Sequence, residues 1–128
     1  AQLDTRPVPA GTPRREQRRV LALDGKTLRG AHVRAADGEV YLPHLVSVLD
    51  QSSGVVLGQV QVEHKSSEIA AFTTLLDSLD LSDVLVTADA LHTHRGHADY
   101  LHARGGHYLM TIKANQPRLL ARIRALPW

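Results

Sequence analysis

The spacing of the apolar residues changes once along this chain, and that change limits the folds open to it. Between residues 44 and 62 apolar and polar side chains mostly alternate, which is typical of strands buried on one face. From Ile69 to Leu79 the apolar residues recur with a period near 3.6, which is typical of an amphipathic helix. The chain therefore combines consecutive strands with a later region in which helices and strands alternate.

Glycine and proline positions divide this pattern into eight elements in the order β-β-β-α-β-α-β-α. The predicted strands cover residues 20–23, 44–50, 54–63, 84–88 and 107–113, and the predicted helices start near residues 68, 93 and 117, the first of them capped by Ser66 or Ser67. Tight turns join antiparallel strands, whereas crossover helices join parallel ones. We therefore expect an α/β fold with a mixed five-stranded sheet and helices on its faces.

Composition excludes several classes of protein. At 128 residues, 43% of them hydrophobic, the chain has the size of one ordinary domain with its own core. The chain has no cysteine, which excludes disulfides, thiolate metal sites and a cysteine nucleophile. No apolar run approaches the roughly 18 residues that a membrane span needs, and no signal-peptide pattern is present. We expect a cytoplasmic protein without a membrane partner.

The net charge of +2 conceals an uneven distribution along the chain. Residues 1–34 carry eight basic and three acidic residues, residues 35–112 carry three and ten, and residues 113–128 carry four and none. A cluster of four arginines near the start is typical of a contact with a phosphate backbone, and a solvated arm is the ordinary alternative: Arg14, Arg15, Arg18 and Arg19. Residues 1–19 contain several prolines and are interpreted as a lead-in or linker.

Two apolar strands are followed directly by aspartates, Asp24 in LALDGKTLRG and Asp89 in VLVTADALHT. If these strands are parallel neighbours, both carboxylates emerge at the same edge of the sheet, where sheets of this kind place their sites. Two like charges at close range are costly unless one is protonated or a cation lies between them, and hard oxygen ligands suit Mg²⁺ or Mn²⁺. A cap or turn role for each aspartate is the ordinary alternative.

Three blocks of the chain, in order and at matching distances, resemble one known family: LALDGKTLRG, the stretch from HLVSVLD to ALHTH, and YLMTIKANQ. They are similar to the catalytic domain of ISAs1-type transposases of bacterial insertion sequences. These belong to the IS4-like group of DDE transposases, which have a ribonuclease H-like fold. The resemblance covers about residues 20–126, so residues 20–128 are expected to form the catalytic domain.

The resemblance implies a function and a set of site residues. In that family the aspartates at the positions of Asp24 and Asp89 are the first two members of an Asp-Asp-Glu triad that binds metal. The implied activity is metal-dependent cleavage and strand transfer of DNA, with Mg²⁺ or Mn²⁺ as cofactor. The implied partners are insertion-sequence ends and target DNA, and the full-length protein is expected to be a homo-oligomer.

The third carboxylate of that triad is missing from the chain. In the family the glutamate lies on a helix beyond the KANQ block, and the sequence stops at Trp128 before any such segment. Glu63 and Glu68 both precede the second aspartate and are poor substitutes. The chain is therefore expected to be a piece of a longer protein, or a remnant of one, with an incomplete two-metal site and no activity alone.

Polar residues near the two aspartates are candidates for contacts with DNA. The set comprises Lys26, Arg29, His92, His94, Lys113, Asn115 and Gln116. Solvated loops and helix capping are the alternatives for these residues. The histidines between residues 92 and 107 are unsuited to a zinc site, because their spacing places them on different sides of a helix.

Two functions from other classes remain as alternatives. The stretch LALDGKT also resembles the start of haloacid-dehalogenase enzymes, in which Asp24 would be a nucleophile. That family has a second aspartate two residues later, where this chain has Lys26. The other alternative is a transposase remnant that binds DNA or dimerises without catalysis.

Overall fold

The computed structural model describes residues 18–62 and 68–128. A five-stranded sheet carries three helices. The strands of the sheet are β1 Val20–Thr27, β4 His44–Asp50, β5 Val55–Val62, β6 Leu85–Ala88 and β7 His107–Met110. A separate small hairpin consists of β2 Val33–Arg34 and β3 Val40–Tyr41. The helices are α1 Glu68–Leu76, α2 Arg95–Ala103 and α3 Pro117–Arg124, and a 3₁₀ turn covers Ala90–His92.

The strand order in the sheet is β5-β4-β1-β6-β7. The pairs β4–β5 and β1–β4 are antiparallel, and the pairs β1–β6 and β6–β7 are parallel. The predicted mixed sheet is therefore confirmed. The predicted cap of α1 at Ser66 or Ser67 lies outside the described residues, as do Arg14 and Arg15. No helix in the described part of the chain is long and apolar enough to span a membrane.

The hydrophobic core lies on one face of the sheet. Alternate residues of the central strands point to it, so Leu21 and Leu23 of β1 pack with Val46 and Val48 of β4. Helices α1 and α2 cover the same face with apolar side chains that include Phe72, Leu76 and Leu101. Fully burying one such side chain contributes about 1.5–3 kcal/mol, and this burial fixes which face each strand turns to the core.

The predicted strand ends differ from the observed ones because pairing sets strand length. Strand β1 continues past Leu23 to Thr27, since β4 pairs with it up to His44. Asp24 therefore lies inside a strand. Strand β7 ends at Met110 and not at residue 113, because its partner β6 ends at Ala88.

A β-bulge in the β4–β5 pair corrects a second expectation. The sequence pattern places Val56, Gly58, Val60 and Val62 on one face of β5. In the structure the register shifts between Val48 and Leu49, and Val56 becomes the partner of Leu49. An extra residue in one strand turns the following side chains to the other face. Val56 is accordingly more than half exposed, whereas Val60 and Val62 pack against the core.

Arg18 and Arg19, expected in a phosphate-binding arm, form ion pairs with the body of the domain. The Arg19 Nε atom donates to Asp50 Oδ2 at 2.7 Å, and Ser52 donates its backbone N–H and its hydroxyl to the other oxygen. Burial raises the pKa of the Asp50 carboxyl, but these hydrogen bonds outweigh burial and leave the pKa below its ordinary value. Arg18 donates to Asp83. Both arginines therefore hold the start of β1 to neighbouring parts of the domain.

Candidate active site

Asp24 and Asp89 lie side by side at one end of the sheet. Leu23 and Ala88 are partners in the parallel β1–β6 pair; Asp24 is the next residue within β1, and Asp89 directly follows the end of β6. Both aspartates are exposed and line one open pocket of about 560 Å³. Because alternate residues share a face, Asp24 points away from the core that Leu23 enters. The parallel register therefore brings together the two carboxylates that the sequence singled out.

The backbone after Asp89 is held by three hydrogen bonds from separate parts of the chain. Asp89 Oδ1 accepts the N–H of Leu91 at 3.0 Å and so caps the 3₁₀ turn. The Thr93 hydroxyl donates to the carbonyl oxygen of Thr111 at 2.6 Å. The side-chain amide of Asn115 donates to the carbonyl oxygen of Ala90 at 2.9 Å. The first contact holds the Oδ1 atom of Asp89, the other two hold the backbone that follows, and Asp89 lines the pocket.

His97 supports the same segment from the core. Its Nδ1 lies 2.9 Å from the carbonyl oxygen of His92, and its Nε2 lies 3.2 Å from that of Ile69. The Phe72 ring stacks on it with centroids 3.8 Å apart. Burial lowers the pKa of His97, which favours the neutral ring with a single N–H. Only one of the two carbonyl oxygens then receives a hydrogen bond from the ring.

His92 belongs to the core and not to an open surface. Its side chain is 0% exposed, and its ring centroid lies 5.4 Å from that of Phe72. Burial lowers the pKa of His92, and the negative charge of Asp89 opposes that shift. A DNA contact by His92 does not fit this position, because the ring has no accessible surface. His92 is instead the last residue of the 3₁₀ turn, and its buried ring packs in the core beside Phe72.

The other predicted DNA-contacting residues fall in two places. Lys26 and Arg29 line a separate depression of about 690 Å³ formed by residues 25–31. Lys26 shares the face of Asp24, because the two are separated by one residue of β1. His94, Asn115 and Gln116 line a groove on the far side of Asp89, and Lys113 is exposed beside it.

The donor atoms at this end of the sheet suit a hard divalent cation. Asp24 and Asp89 offer carboxylate oxygens, and in the described part of the chain no cation pairs with either residue. Residues 18–62 and 68–128 contain no group of three or more His, Cys, Asp or Glu residues that could hold a metal ion. The two aspartates thus form an incomplete donor set that fits a metal ion which takes further ligands from elsewhere.

Fold and site together define a ribonuclease H-like domain with one acidic residue in β1 and a second just after the neighbouring parallel strand β6. The transposase DDE domain family matches residues 15–125, and the chain belongs to this family. The finding agrees with the family predicted from the sequence blocks at the level of a DDE transposase.

Two curated relatives from Escherichia coli illustrate the similarity. The chain is 40% identical over 101 residues to YncI of strain O157:H7, named as a candidate transposase, and this match covers 78% of the chain and 25% of YncI. It is 35% identical over 100 residues to the protein YbfL of strain K12, covering 78% of the chain and 26% of YbfL. The chain therefore spans about a quarter of the length of these relatives.

Among solved structures, the chain is similar to the piggyBac transposase in a synaptic complex with hairpin DNA. The TM-score is 0.58 at 15% sequence identity, and the match covers 84% of this chain and 26% of that chain. At this identity the likeness shows the fold.

Sequence reasoning missed the side-chain contacts that hold the two ends of the sheet, and it named Asn115 only as a candidate DNA contact. At the amino end, the Asp50–Ser52 turn carries a readable signal, because an aspartate two residues before a serine is typical of an Asx turn. The contact between Asn115 and Ala90 and the position of His97 under the turn carry no such signal. Both depend on residues that are distant in sequence and meet only after the sheet has formed.

Proposed function

We propose that this chain is part of the catalytic domain of an ISAs1-type transposase, with residues 20–128 in the domain and residues 1–19 as a basic lead-in. Asp24 and Asp89 would supply two of the carboxylates that hold Mg²⁺ or Mn²⁺. The observation that carries this proposal is the parallel register, which puts the residues after Leu23 and Ala88 next to each other. Two exposed carboxylates without a paired cation are what a divalent cation site requires.

The chemistry would be an in-line displacement at a DNA phosphate. Asp24 and Asp89 would hold divalent ions, which when bound would supply charge stabilisation for the attacking and departing oxygens. Asp24, on a strand paired on both sides, provides a rigid ligand position. Asp89 presents its second oxygen in a fixed direction, because the Leu91 N–H holds the first. Pre-oriented carboxylates avoid a reorganisation cost during the reaction.

The full activity would need the rest of a longer protein. The proposed partners are insertion-sequence ends and target DNA, in a cytoplasmic homo-oligomer. The described residues supply no third carboxylate near the pair, so we expect this chain alone to bind a metal ion weakly and to leave DNA uncut. A DNA-binding piece without nuclease activity is the second candidate function, and the incomplete donor set favours it for the chain by itself.

Paramagnetic broadening by Mn²⁺ tests the metal site. In amide NMR spectra of the chain, we expect Mn²⁺ to broaden the signals of residues next to Asp24 and Asp89 first. Asp24→Asn and Asp89→Asn should each remove this local broadening, since the amide is a weaker ligand than a carboxylate. Asp37→Asn is the matched control, because Asp37 is an exposed aspartate in the β2–β3 turn that caps its own backbone. Broadening that is equal in all three variants would overturn the proposal.

A further inference from the structure

A second concave surface lies beside the carboxylate pocket. It is a groove of about 1040 Å³ between α2, β7 and α3. Leu109 and Met110 line both the groove and the pocket that contains Asp24 and Asp89. The two concavities therefore adjoin at the end of β7.

The floor of this groove is apolar and open. β7 is an edge strand that pairs only with β6, so no further strand of the sheet lies beside its outer edge. Tyr108 is 50% exposed and shares the α2-covered face of β7 with Met110, whereas Leu109, 65% exposed, lies on the opposite face, beside the carboxylate pocket. Ile112 and Leu119 add half-buried apolar surface. An exposed aromatic ring among aliphatic side chains offers a flat surface on which another planar group can stack.

The walls of the groove are positively charged. Arg95 of α2 and Arg118 and Arg122 of α3 line it, and Asp99 is the acidic residue among the lining residues. The Arg95 Nε atom lies 3.7 Å from Asp99 Oδ2, so this pair neutralises one wall in part. The two arginines of α3 are four residues apart and lie on one side of that helix. The groove as a whole therefore favours an anionic occupant.

We propose that this groove binds the single-stranded DNA next to the phosphate held at Asp24 and Asp89. The inference rests on the proposed function and extends it to a path for the strand. Single strands are bound by basic grooves that follow the backbone and by aromatic rings on which bases stack. Arg118 and Arg122 would contact phosphates, and Tyr108 would stack on a base. A duplex presents no base face to such a floor, so the exposed ring favours an unpaired strand.

Fluorescence anisotropy with a labelled oligothymidine and a duplex of equal length tests this proposal. We expect the chain to bind the single strand more tightly than the duplex, with binding weakened by salt. The double variant Arg118→Ala, Arg122→Ala should reduce the slope of log affinity against log salt by about 1.4, since each phosphate contact contributes roughly 0.7 for single strands. Arg124→Ala, on the same helix but outside the groove, is the control and should change the slope by less.

The ring is tested separately. Tyr108→Ala should weaken binding of the single strand about tenfold, whereas Tyr108→Phe should restore it because the phenyl ring still stacks. Thermal unfolding of each variant shows that the domain remains folded. The proposal is overturned by tighter binding of the duplex, by an absence of binding to either DNA, or by equal effects of the Arg124 and groove variants. It is also overturned if the groove variants abolish a concentration-dependent increase in molecular mass, since the occupant would then be a second copy.

The outcome is distinguishable from a failure of the proposed function. The Mn²⁺ broadening near Asp24 and Asp89 is recorded on the same Tyr108 and arginine variants. If these variants retain the Mn²⁺ broadening and bind DNA as the unmodified chain does, the groove proposal is wrong and the metal site stands. If the unmodified chain shows no local broadening near Asp24 and Asp89, the metal-site proposal is wrong, whatever the groove binds.

Discussion

The carboxylates at the two ends of the parallel strands differ in whether the protein supplies them with charged partners. At the amino end, Asp50 accepts hydrogen bonds from Arg19 and Ser52, and Asp83 lies within 3.1 Å of both Arg18 and His107. At the carboxyl end, Asp24 and Asp89 are exposed neighbours without a paired cation in the described part of the chain. A carboxylate that serves stability is satisfied by the protein itself, whereas one that serves binding is left available.

Removal of Asp50 should give the largest effect. Asp50→Ala leaves the mostly buried Arg19 guanidinium without its partner and removes the one oxygen that accepts both the Ser52 N–H and the Ser52 hydroxyl. We expect the free energy of unfolding to fall by about 3 kcal/mol, measured by urea denaturation with circular dichroism. Asp83→Ala, which breaks the exposed pair with Arg18, is the control and should cost much less. Equal losses would show that the amino end does not depend on the buried pair.

The two ends should respond to pH in different ranges. Burial lowers the pKa of His92 and His97 from 6.5, so the unfolded chain takes up protons more readily than the folded one. Stability is then complete above about pH 6.5 and falls as the pH drops below it. The lowered pKa of Asp50 affects stability only as the pH falls below 3.8.

The measurement for this pH effect is the urea midpoint at about pH 7 and about pH 5. The midpoint should decrease toward pH 5, and it should decrease less in His97→Gln, which keeps a side-chain donor. His102→Gln changes an exposed histidine of the same helix and should behave as the unmodified chain. A urea midpoint that is constant over this range would show that His92 and His97 do not make the stability depend on pH.

Asn115 should matter to both stability and metal binding. Asn115→Ala removes the hydrogen bond to the Ala90 carbonyl, and we expect a loss of about 1 kcal/mol in the free energy of unfolding. Because that bond orients the turn after Asp89, the Mn²⁺ affinity should fall about tenfold, as for other groups that orient metal ligands. Gln116→Ala, whose side chain makes no capping bond, is the control. An unchanged Mn²⁺ affinity in Asn115→Ala would restrict this residue to stability.

Asp24→Asn should have the smallest effect on stability. The substitution removes one of two neighbouring like charges and breaks no ion pair among residues 18–62 and 68–128, so the free energy of unfolding should stay equal or rise by about 0.5 kcal/mol. Urea denaturation without divalent ions measures this change. A clear loss of stability would mean that Asp24 has a structural partner like that of Asp50, and the contrast between the ends would disappear.

Much of the fold was predictable because it follows from local patterns. The period-two alternation of β4 and the 3.6-residue period of α1 each require one buried face, and burial then decides how the elements pack. Strand ends were predicted less well, since β1 and β7 stop where their neighbours stop. The bulge that turns Val56 outward depends on the pairing of β4 with β5, which no single strand encodes.

The candidate site divides in the same way. An apolar run that ends in an aspartate is visible in the sequence, and so Asp24 and Asp89 were predicted as a pair. His92 also follows closely in the sequence, yet its ring is fully buried on Phe72. Proximity in sequence to a site residue does not decide whether a side chain turns toward solvent or toward the core.

The amino-acid sequence by itself determined the order of strands and helices, the burial pattern of the central strands, and the two carboxylates that close their apolar runs. These features depend on the chemistry of residues that are close together in the chain. Only the tertiary structure decided that the two carboxylates are neighbours supported by Asn115 and His97, and that a basic groove adjoins them. Parallel register and contacts across the sheet produce these features, because they bring together residues that no local pattern relates.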